Sequence, residues 1–300
     1  MQTPHHLNNR YEILRELGDG GFGKTFLVRD HQMPSARQCV LKQLKPLHNN
    51  PEIYSLVKDR FQREAAILEQ LSDHPQVPRL HAYFCEDDLF YLVEEYIEGN
   101  TLTQHVQTQG PQSETTVRNI LAQLLPAIAH IHQQKIVHRD IKPDNIILRT
   151  SDQKPVLIDF GAVKETMGTI LNSQGNSARS IIVGTPGYMP SEQMIGRPVY
   201  ASDLYSLGLT AIYLLTAKLP QDLDTDPATG AFLWRSHTNV SAPFANLLDR
   251  AIQLNPANRF STAQEMLTNL NNLADGIDMT IPPAAAKYVS EPIPAPPAST

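Results

Sequence analysis

The chain has 300 residues, of which 41% are hydrophobic and 19% are charged, and its formal net charge at pH 7 is -6. These values are typical of a globular protein with one large domain or two modest ones, and they disfavour nucleic acid as the main partner. The sequence has neither a signal-peptide pattern nor an apolar run of membrane-spanning length, and it has only two cysteines. We therefore expect a soluble cytoplasmic protein that does not insert into a membrane.

A glycine-rich loop lies between two predicted strands near the N-terminus. Residues 11–17 and 25–28 form the strands, and Gly18, Gly20 and Gly23 give the spacing G-x-G-x-x-G. A dinucleotide-binding loop of this spacing opens a helix, whereas here a β-branched and aromatic run follows, which favours a hairpin. Such a loop lets backbone N–H groups lie close to phosphates, although the motif alone also fits a flexible turn.

Two charged residues lie in otherwise apolar elements and could form an ion pair. Lys42 is in a predicted strand over residues 38–43, and Glu64 is beside the apolar face of a predicted helix over residues 55–71. On the local pattern alone, both side chains could equally face solvent. Two more strands are predicted, over residues 79–85 and 89–94.

Beyond residue 95 the pattern is mainly helical. A long helix is predicted over residues 113–134, and Pro126 inside it should cause a kink or a break. Three further helices are predicted, near residues 202–215, 244–254 and 262–273. The first of these three is apolar and should be central, and Ser261 with Gln264 is expected to form a capping box for the last one.

The stretch over residues 137–145, Val-His-Arg-Asp-Ile-Lys-Pro-Asp-Asn, is the candidate active centre. It places an acid, a base and an amide, Asp140, Lys142 and Asn145, within six residues. The proline in this stretch prevents helix formation, so these side chains should project from irregular backbone. A short apolar strand over residues 146–148 should hold the loop in place, as scaffolds do for reactive groups.

A carboxylate at the end of a second short strand is a candidate metal ligand. Asp159 follows the apolar residues 156–158 and precedes Phe160 and a glycine. This position suits a divalent cation, although an Asp here can also start a turn. Residues 162–182 then read as a long loop, of a length that is usually functional, and Glu192 closes the segment.

In this order and spacing, the motifs resemble those of the eukaryotic-type serine/threonine protein kinases, especially their bacterial members, over residues 11–273. The resemblance implies an α+β fold with two lobes. The small lobe, residues 11–95, would hold a five-stranded antiparallel sheet and one helix, and the larger lobe, residues 96–273, would be mainly helical. Residues 1–10 would be a lead, and the Pro-rich residues 274–300 a linker or tail.

The resemblance implies transfer of the γ-phosphoryl group of ATP to Ser or Thr hydroxyls of protein substrates, with Mg²⁺ as the metal, Mn²⁺ as its alternative, and autophosphorylation of the activation loop. Asp140 would orient the substrate hydroxyl and Lys142 would lie near the transferring group. Lys42, paired with Glu64, would hold the α- and β-phosphates. Asn145 and Asp159 would bind the metal. The implied ATP site comprises Leu17, Gly18, Gly20, Gly21, Phe22, Gly23, Thr25, Lys42, Glu95 and Ile97.

The resemblance also implies supporting and regulatory residues. Glu192 and Arg259 would form an ion pair, Asp203 would hold the catalytic loop's backbone, and Thr185 would pack against the catalytic loop. Arg139 implies control by phosphorylation, because a phosphate could neutralise its buried charge. The candidate acceptors are Thr166, Thr169, Ser173, Ser177 and Ser180.

Two positions depart from the family pattern. Pro190-Ser191-Glu192 stands where Ala-Pro-Glu is usual, and Glu94 stands where an apolar residue usually closes the pocket behind adenine. We hypothesise that Glu94 makes that pocket polar and competes with Glu64 for Lys42. The alternatives to an active kinase are a pseudokinase that acts as a nucleotide-binding scaffold and a small-molecule phosphotransferase. The complete set of motif residues favours the active protein kinase.

Overall fold

An antiparallel sheet of six strands forms the N-terminal part of the structure. The computed structural model describes residues 6–20, 23–44, 61–62, 65–159 and 187–273. The strands are β1 (His6–Leu7), β2 (Tyr11–Gly20), β3 (Gly23–Asp30), β4 (Gln38–Leu44), β5 (Leu80–Glu86) and β6 (Leu89–Glu95). They are hydrogen-bonded in the order β1-β2-β3-β4-β6-β5.

The sheet has one strand more than the five that the sequence analysis predicts. The additional strand is β1, in which His6 and Leu7 pair with Glu12 and Tyr11 of β2. Two residues are too few to show the alternation of polar and apolar side chains by which a strand is recognised. The predicted helix over residues 55–71 is helical at positions 61–62 and 65–71, and residues 55–60 lie outside the described residues.

The two faces of the sheet have different roles. Because successive side chains of a strand point to opposite faces, Cys39 and Leu41 of β4 enter a small apolar core that also contains Val93. The same alternation turns Val40 and Lys42 to the other face. That face forms one wall of the cleft described below.

The rest of the described chain is mainly helical, with a small three-stranded sheet in the order β7-β8-β9. Its elements are β7 (Gly99–Thr101), α1 (Leu102–Gln109), α2 (Glu114–Gln133), β8 (Ile146–Arg149), β9 (Pro155–Leu157), α3 (Ser191–Met194), α4 (Tyr200–Thr216), α5 (Ala242–Ala251) and α6 (Ala263–Asn272). Every residue of α4 after Tyr200 is buried, which confirms that this apolar helix is central. Within the described ranges, none of the helices has both the length and the hydropathy needed to cross a membrane.

Helix α2 is continuous through Pro126. Of the two predicted alternatives the break is therefore wrong, and the kink stays a prediction. Proline has no N–H to donate and its ring crowds the preceding turn. The side chain of Gln76 lies beside that turn and donates from Nε2 to the carbonyl oxygens of Gln123, at 2.9 Å, and Pro155, at 2.8 Å. Gln76 thus contacts the carbonyl next to that of Ala122, which is the one that loses its helical N–H partner at Pro126.

The segment that contains Gln76 is attached to the helical part at several points. Leu157 N–H donates to the carbonyl of Gln76 at 2.9 Å, and the Arg149 guanidinium donates to the carbonyl of Pro75 at 3.1 Å. The rings of His74 and His130 are 5.2 Å apart. Residues 74–77 thus belong to the helical part, although strand β5 of the large sheet begins soon after them.

The N-cap of helix α6 is one residue away from the predicted position. Thr262 caps the helix by accepting from Glu265 N–H at 3.0 Å, and the Glu265 carboxylate accepts from Ser261 N–H at 2.9 Å. The expected pairing of Ser261 with Gln264 is therefore wrong. Glu265 is better placed because its side chain can reach back to the backbone that precedes the cap.

Candidate active site

A cleft of about 440 Å³ lies between the large sheet and the helical part. Its lining includes nine residues singled out in the sequence analysis: Leu17, Gly18, Thr25, Lys42, Glu94, Glu95, Ile97, Asn145 and Asp159. Gly20 and Gly23 pair at the turn between β2 and β3. A Cβ at position 23 would lie 1.8 Å from the carbonyl oxygen of Gln43, so only glycine fits there.

The cleft also has apolar walls that the sequence analysis did not identify. Val40 comes from β4, Ile147 from β8, and Ile158 directly precedes Asp159. An adenine-sized ring needs apolar surface above and below it. Val40 could have been found from the sequence, because it lies two residues before Lys42 and strands have a period of two.

Lys42 is held between two carboxylates at the inner end of the cleft. Its Nζ lies 3.0 Å from each carboxylate oxygen of Glu94 and 3.5 Å from Oδ1 of Asp159. The predicted approach of Glu94 to Lys42 is therefore present. Glu64 lies outside the described residues, so the competition between the two glutamates stays a prediction.

The catalytic-loop candidates form one hydrogen-bonded group. The Asn145 amide donates from Nδ2 to Oδ2 and to the backbone oxygen of Asp140, both at 2.8 Å, and Lys142 Nζ is 3.5 Å from the same Oδ2. Pro143 starts a 3₁₀ turn that carries Asn145, and Lys142 before it is extended, as expected of a residue that precedes proline. The acid, the base and the amide are thus brought together as predicted.

The backbone of this loop is fastened by buried polar side chains. The Asp203 carboxylate accepts from the backbone N–H groups of His138 and Arg139, both at 2.9 Å. Oδ2 of Asp203 is also 2.9 Å from Nε2 of His132, and Gln193 donates to the carbonyl of Arg139 at 2.5 Å. The sequence analysis assigned Asp203 this contact but missed His132 and Gln193.

Arg139 combines an uncommon backbone conformation with a half-buried charge. Its φ is 70°, a region that non-glycine residues seldom adopt, and the hydrogen bonds at its N–H and carbonyl oppose relaxation. Burial lowers the pKa of the Arg139 guanidinium below its ordinary value, although the Asp203 carboxylate opposes that shift. A buried cation of this kind is a suitable partner for an anion.

The pair of Glu192 and Arg259 is present despite the altered motif before it. Arg259 donates to the two carboxylate oxygens of Glu192 at 2.6 and 3.2 Å, and Ser202 Oγ donates at 2.7 Å. Pro190 is the N-cap of the short helix α3 that carries Glu192. Burial alone would raise the pKa of Glu192, but the hydrogen bonds from Arg259 and Ser202 outweigh burial and lower it.

The two candidate metal ligands are linked through the backbone. The N–H of Ile158 donates to the carbonyl of Asn145 at 2.8 Å, which places Asp159 beside the catalytic loop. The Asp159 side chain is 33% exposed and opens into the cleft. Carboxylate and amide oxygens are hard donors of the kind that Mg²⁺ prefers, so these residues fit a divalent cation.

Several predicted residues lie outside the part of the chain that the structure describes. They are Gly21, Phe22, Glu64, Thr166, Thr169, Ser173, Ser177, Ser180 and Thr185.

The sequence matches the protein kinase domain family over residues 11–270. Serine/threonine-protein kinase PknA of Nostoc sp. strain PCC 7120 is 60% identical over 266 residues, which cover 88% of this chain and 47% of that protein. Serine/threonine-protein kinase C of Synechocystis sp. strain PCC 6803 is 55% identical over 283 residues, which cover 93% of this chain and 53% of that protein. The chain thus spans about half the length of these two relatives.

Solved structures give the same result for the fold. The kinase domain of PknI from Mycobacterium tuberculosis superimposes with a TM-score of 0.66 at 26% identity, over 87% of this chain and 95% of that chain. PpkA-294 in its apo form gives a TM-score of 0.71 at 28% identity, over 90% and 99%. The six-stranded sheet and the helical part therefore form the two-lobed protein kinase fold. On the family match and these relatives, the chain belongs to the protein kinase family, in its bacterial eukaryotic-type serine/threonine branch.

Proposed function

We propose that the chain is an ATP- and Mg²⁺-dependent protein serine/threonine kinase that acts in the cytoplasm on protein substrates. One observation carries the proposal. Lys42 lies 3.5 Å from Asp159, and Asp140 lies 2.8 Å from Asn145 and 3.5 Å from Lys142. The N–H of Ile158, the residue before Asp159, donates to the carbonyl of Asn145 at 2.8 Å and joins the two groups into one series. Phosphoryl transfer depends on positioning and on charge neutralisation, and this series supplies both.

Each residue of the series has a defined task. Asp140 orients the substrate hydroxyl and accepts its proton, while Asn145 fixes the orientation of the Asp140 carboxylate through its 2.8 Å hydrogen bond. Lys142, 3.5 Å from the same carboxylate, places a positive charge beside the transferring group. A lysine two residues after the catalytic acid supports the serine/threonine specificity, as do the names of the two relatives.

The nucleotide occupies the cleft. Gly18, Gly20 and Gly23, with Gly21 and Phe22, cover its phosphates, and Lys42 binds the α- and β-phosphates. The backbone of Glu95 and Ile97 would bind adenine, and Leu17, Thr25 and Val40, which line the cleft, would contact the base and sugar. Asn145 and Asp159 hold the metal, which neutralises charge on the phosphates when it is bound; Mn²⁺ is the alternative ion.

We further propose that the kinase is regulated through Arg139. A phosphate on the activation segment would neutralise the half-buried Arg139 guanidinium, whose pKa burial lowers. Thr166, Thr169, Ser173, Ser177 and Ser180 are the candidate acceptors, and Thr185 is proposed to contact Asp140 and Lys142. The small lobe is assigned to residues 11–95 and the larger lobe to residues 96–273.

A phosphorylation assay tests this function directly. The protein is incubated with γ-labelled ATP, a generic Ser/Thr protein substrate and Mg²⁺ or Mn²⁺, followed by mass mapping of the modified residues. We expect transfer that chelation of the metal abolishes. Asp140→Asn is the matched control, because it keeps the size of the side chain, and it should lower the rate by a factor of about 10² or more. Equal labelling of wild type and Asp140→Asn, or no labelling of any protein with both metals, would contradict an active kinase and favour the pseudokinase.

A further inference from the structure

The buried carboxylate of Glu94 is the second acid at the inner end of the cleft. Glu94 is 4% exposed, and its two carboxylate oxygens each lie 3.0 Å from Lys42 Nζ. On the other side of the same ammonium, Asp159 lies at 3.5 Å. Lys42 is therefore fixed between a fully enclosed carboxylate and a carboxylate that opens into the cleft.

The pairing of the strands brings Lys42 and Glu94 together. On β4 and β6, Lys42 is opposite Leu92 and Val40 is opposite Glu94. Lys42 and Glu94 are thus diagonal neighbours on one face of the sheet, a spacing that long side chains can bridge. Both ends of this ion pair are anchored in neighbouring strands, so the contact does not depend on the position of a helix.

A carboxylate as buried as that of Glu94 has to be compensated by a cation or by hydrogen bonds. Lys42 supplies this compensation from an ammonium that has three donors. The same ammonium is 3.5 Å from the Asp159 carboxylate, which opens into the cleft. A lysine without such an anchor would lose about 2 kcal/mol of side-chain entropy when it is ordered by a ligand.

We propose that Glu94 is a positioning residue that holds Lys42 ready for the phosphates of the nucleotide. The proposal rests on the nucleotide site proposed above but not on turnover, because Lys42 would hold the phosphates in an inactive nucleotide-binding protein as well. Glu94 acts through Lys42 and has no role in recognising the base.

Calorimetric titration with ATP and with adenosine tests the proposal, because only ATP has phosphates for Lys42 to bind. Glu94→Leu should weaken ATP binding by about tenfold, equivalent to about 1.4 kcal/mol, and leave adenosine binding within a factor of about two. Glu94→Gln has nearly the same size and keeps one acceptor oxygen, so it should restore part of the ATP affinity. Glu98→Gln removes a carboxylate from an exposed position and controls for the change in net charge; it should bind both ligands like the wild type.

Three results would overturn the proposal. Equal weakening of ATP and adenosine binding would mean that Glu94 shapes the base subsite. Tighter ATP binding by Glu94→Leu would mean that Glu94 competes with the phosphates for Lys42. Unchanged binding of both ligands would mean that Glu94 has no part in the site. Melting curves establish that each variant is folded, and if Glu94→Leu does not fold, Glu94→Gln decides by the same comparison, with an expected loss of ATP affinity of about threefold. If the proposed kinase activity fails, labelling is absent while this difference between ATP and adenosine persists.

Discussion

Replacing Arg259 by lysine should destabilise the protein although it conserves the charge. The Arg259 side chain is completely buried and makes five hydrogen bonds: two to the Glu192 carboxylate and three to the carbonyl oxygens of Gln253, Ala201 and Leu254. The guanidinium also lies over the ring of Tyr205, 4.6 Å from its centroid. These contacts use the planar fork of arginine, which lysine lacks.

The magnitude follows from the number of donors. An ammonium has three donors, so at least two of the five hydrogen bonds of Arg259 are lost. At about 1–1.5 kcal/mol for each bond, Arg259→Lys should lower the free energy of unfolding by about 2–3 kcal/mol. For a domain of this size, the corresponding decrease in melting temperature is about 5–10 °C.

Thermal unfolding followed by calorimetry or circular dichroism measures this loss. Arg235→Lys is the matched control, because Arg235 pairs with Asp249 at the surface and its side chain is 47% exposed. A surface pair contributes at most about 1 kcal/mol, so this variant should melt within about 3 °C of the wild type. If Arg259→Lys is no less stable than Arg235→Lys, the hydrogen bonds of the buried Arg259 guanidinium do not stabilise the end of the activation segment.

Three further variants test other parts of the structure. Gly208→Ala places a Cβ 2.8 Å from Cγ2 of Ile252 and should cost about 1–2 kcal/mol in urea unfolding, despite the better helix propensity of alanine. The hydrogen bond from Arg10 lowers the pKa of the buried Asp30 carboxylate below its ordinary 3.8. The free energy of unfolding of the wild type should therefore exceed that of Asp30→Asn by a constant amount above pH 3.8, and this difference should decrease as the pH falls below that value. Gln193→Ala removes the hydrogen bond to the catalytic-loop carbonyl and should lower kcat about fivefold with little change in melting temperature.

Each of these expectations has a contrary outcome. Unchanged stability of Gly208→Ala would mean that the neighbouring helix can move away at no cost. A difference between wild type and Asp30→Asn that does not depend on pH would show that the two proteins titrate alike. If Gln193→Ala lowers the melting temperature strongly and leaves kcat unchanged, then Gln193 stabilises the fold and does not position the catalytic loop.

The sequence was most informative where a local pattern sets the geometry. The proline after Lys142 predicts extended backbone at Lys142, and this is present; the 3₁₀ turn that carries Asn145 was not predicted. The approach of Glu94 to Lys42 spans 52 residues and was predicted from the resemblance to the kinase family, whereas the pairing of β4 and β6 that produces it is known only from the structure.

Contacts between distant segments could not be predicted in this way. Gln193 is 54 residues from Arg139, and His132 is 71 residues from Asp203. Gln193 and His132 are polar residues near helix ends, where solvation is the ordinary outcome. Only the assembled structure shows that they are buried against the catalytic loop.

Two small differences between the predicted and the observed elements, at the N-cap of α6 and at strand β1, have another cause. Ser261 and Thr262 are adjacent, and either can be the N-cap of a helix. Thr262 is the N-cap in the structure, where the Glu265 carboxylate accepts from the N–H of Ser261. Strand β1 likewise exists only because β2 offers a free edge to two residues. In both cases competing local structures differ by little free energy, and tertiary contacts decide between them.

The bonds around Gln76 limit which movements of the two lobes leave the described contacts intact. Among the described residues, the backbone at residues 96–98 joins the small lobe to the larger one, and residues 74–77 add side-chain and backbone hydrogen bonds. A rotation that opened the cleft would keep these bonds only if its axis passed close to both segments. Such an axis would run beside Pro126, where Gln76 contacts helix α2.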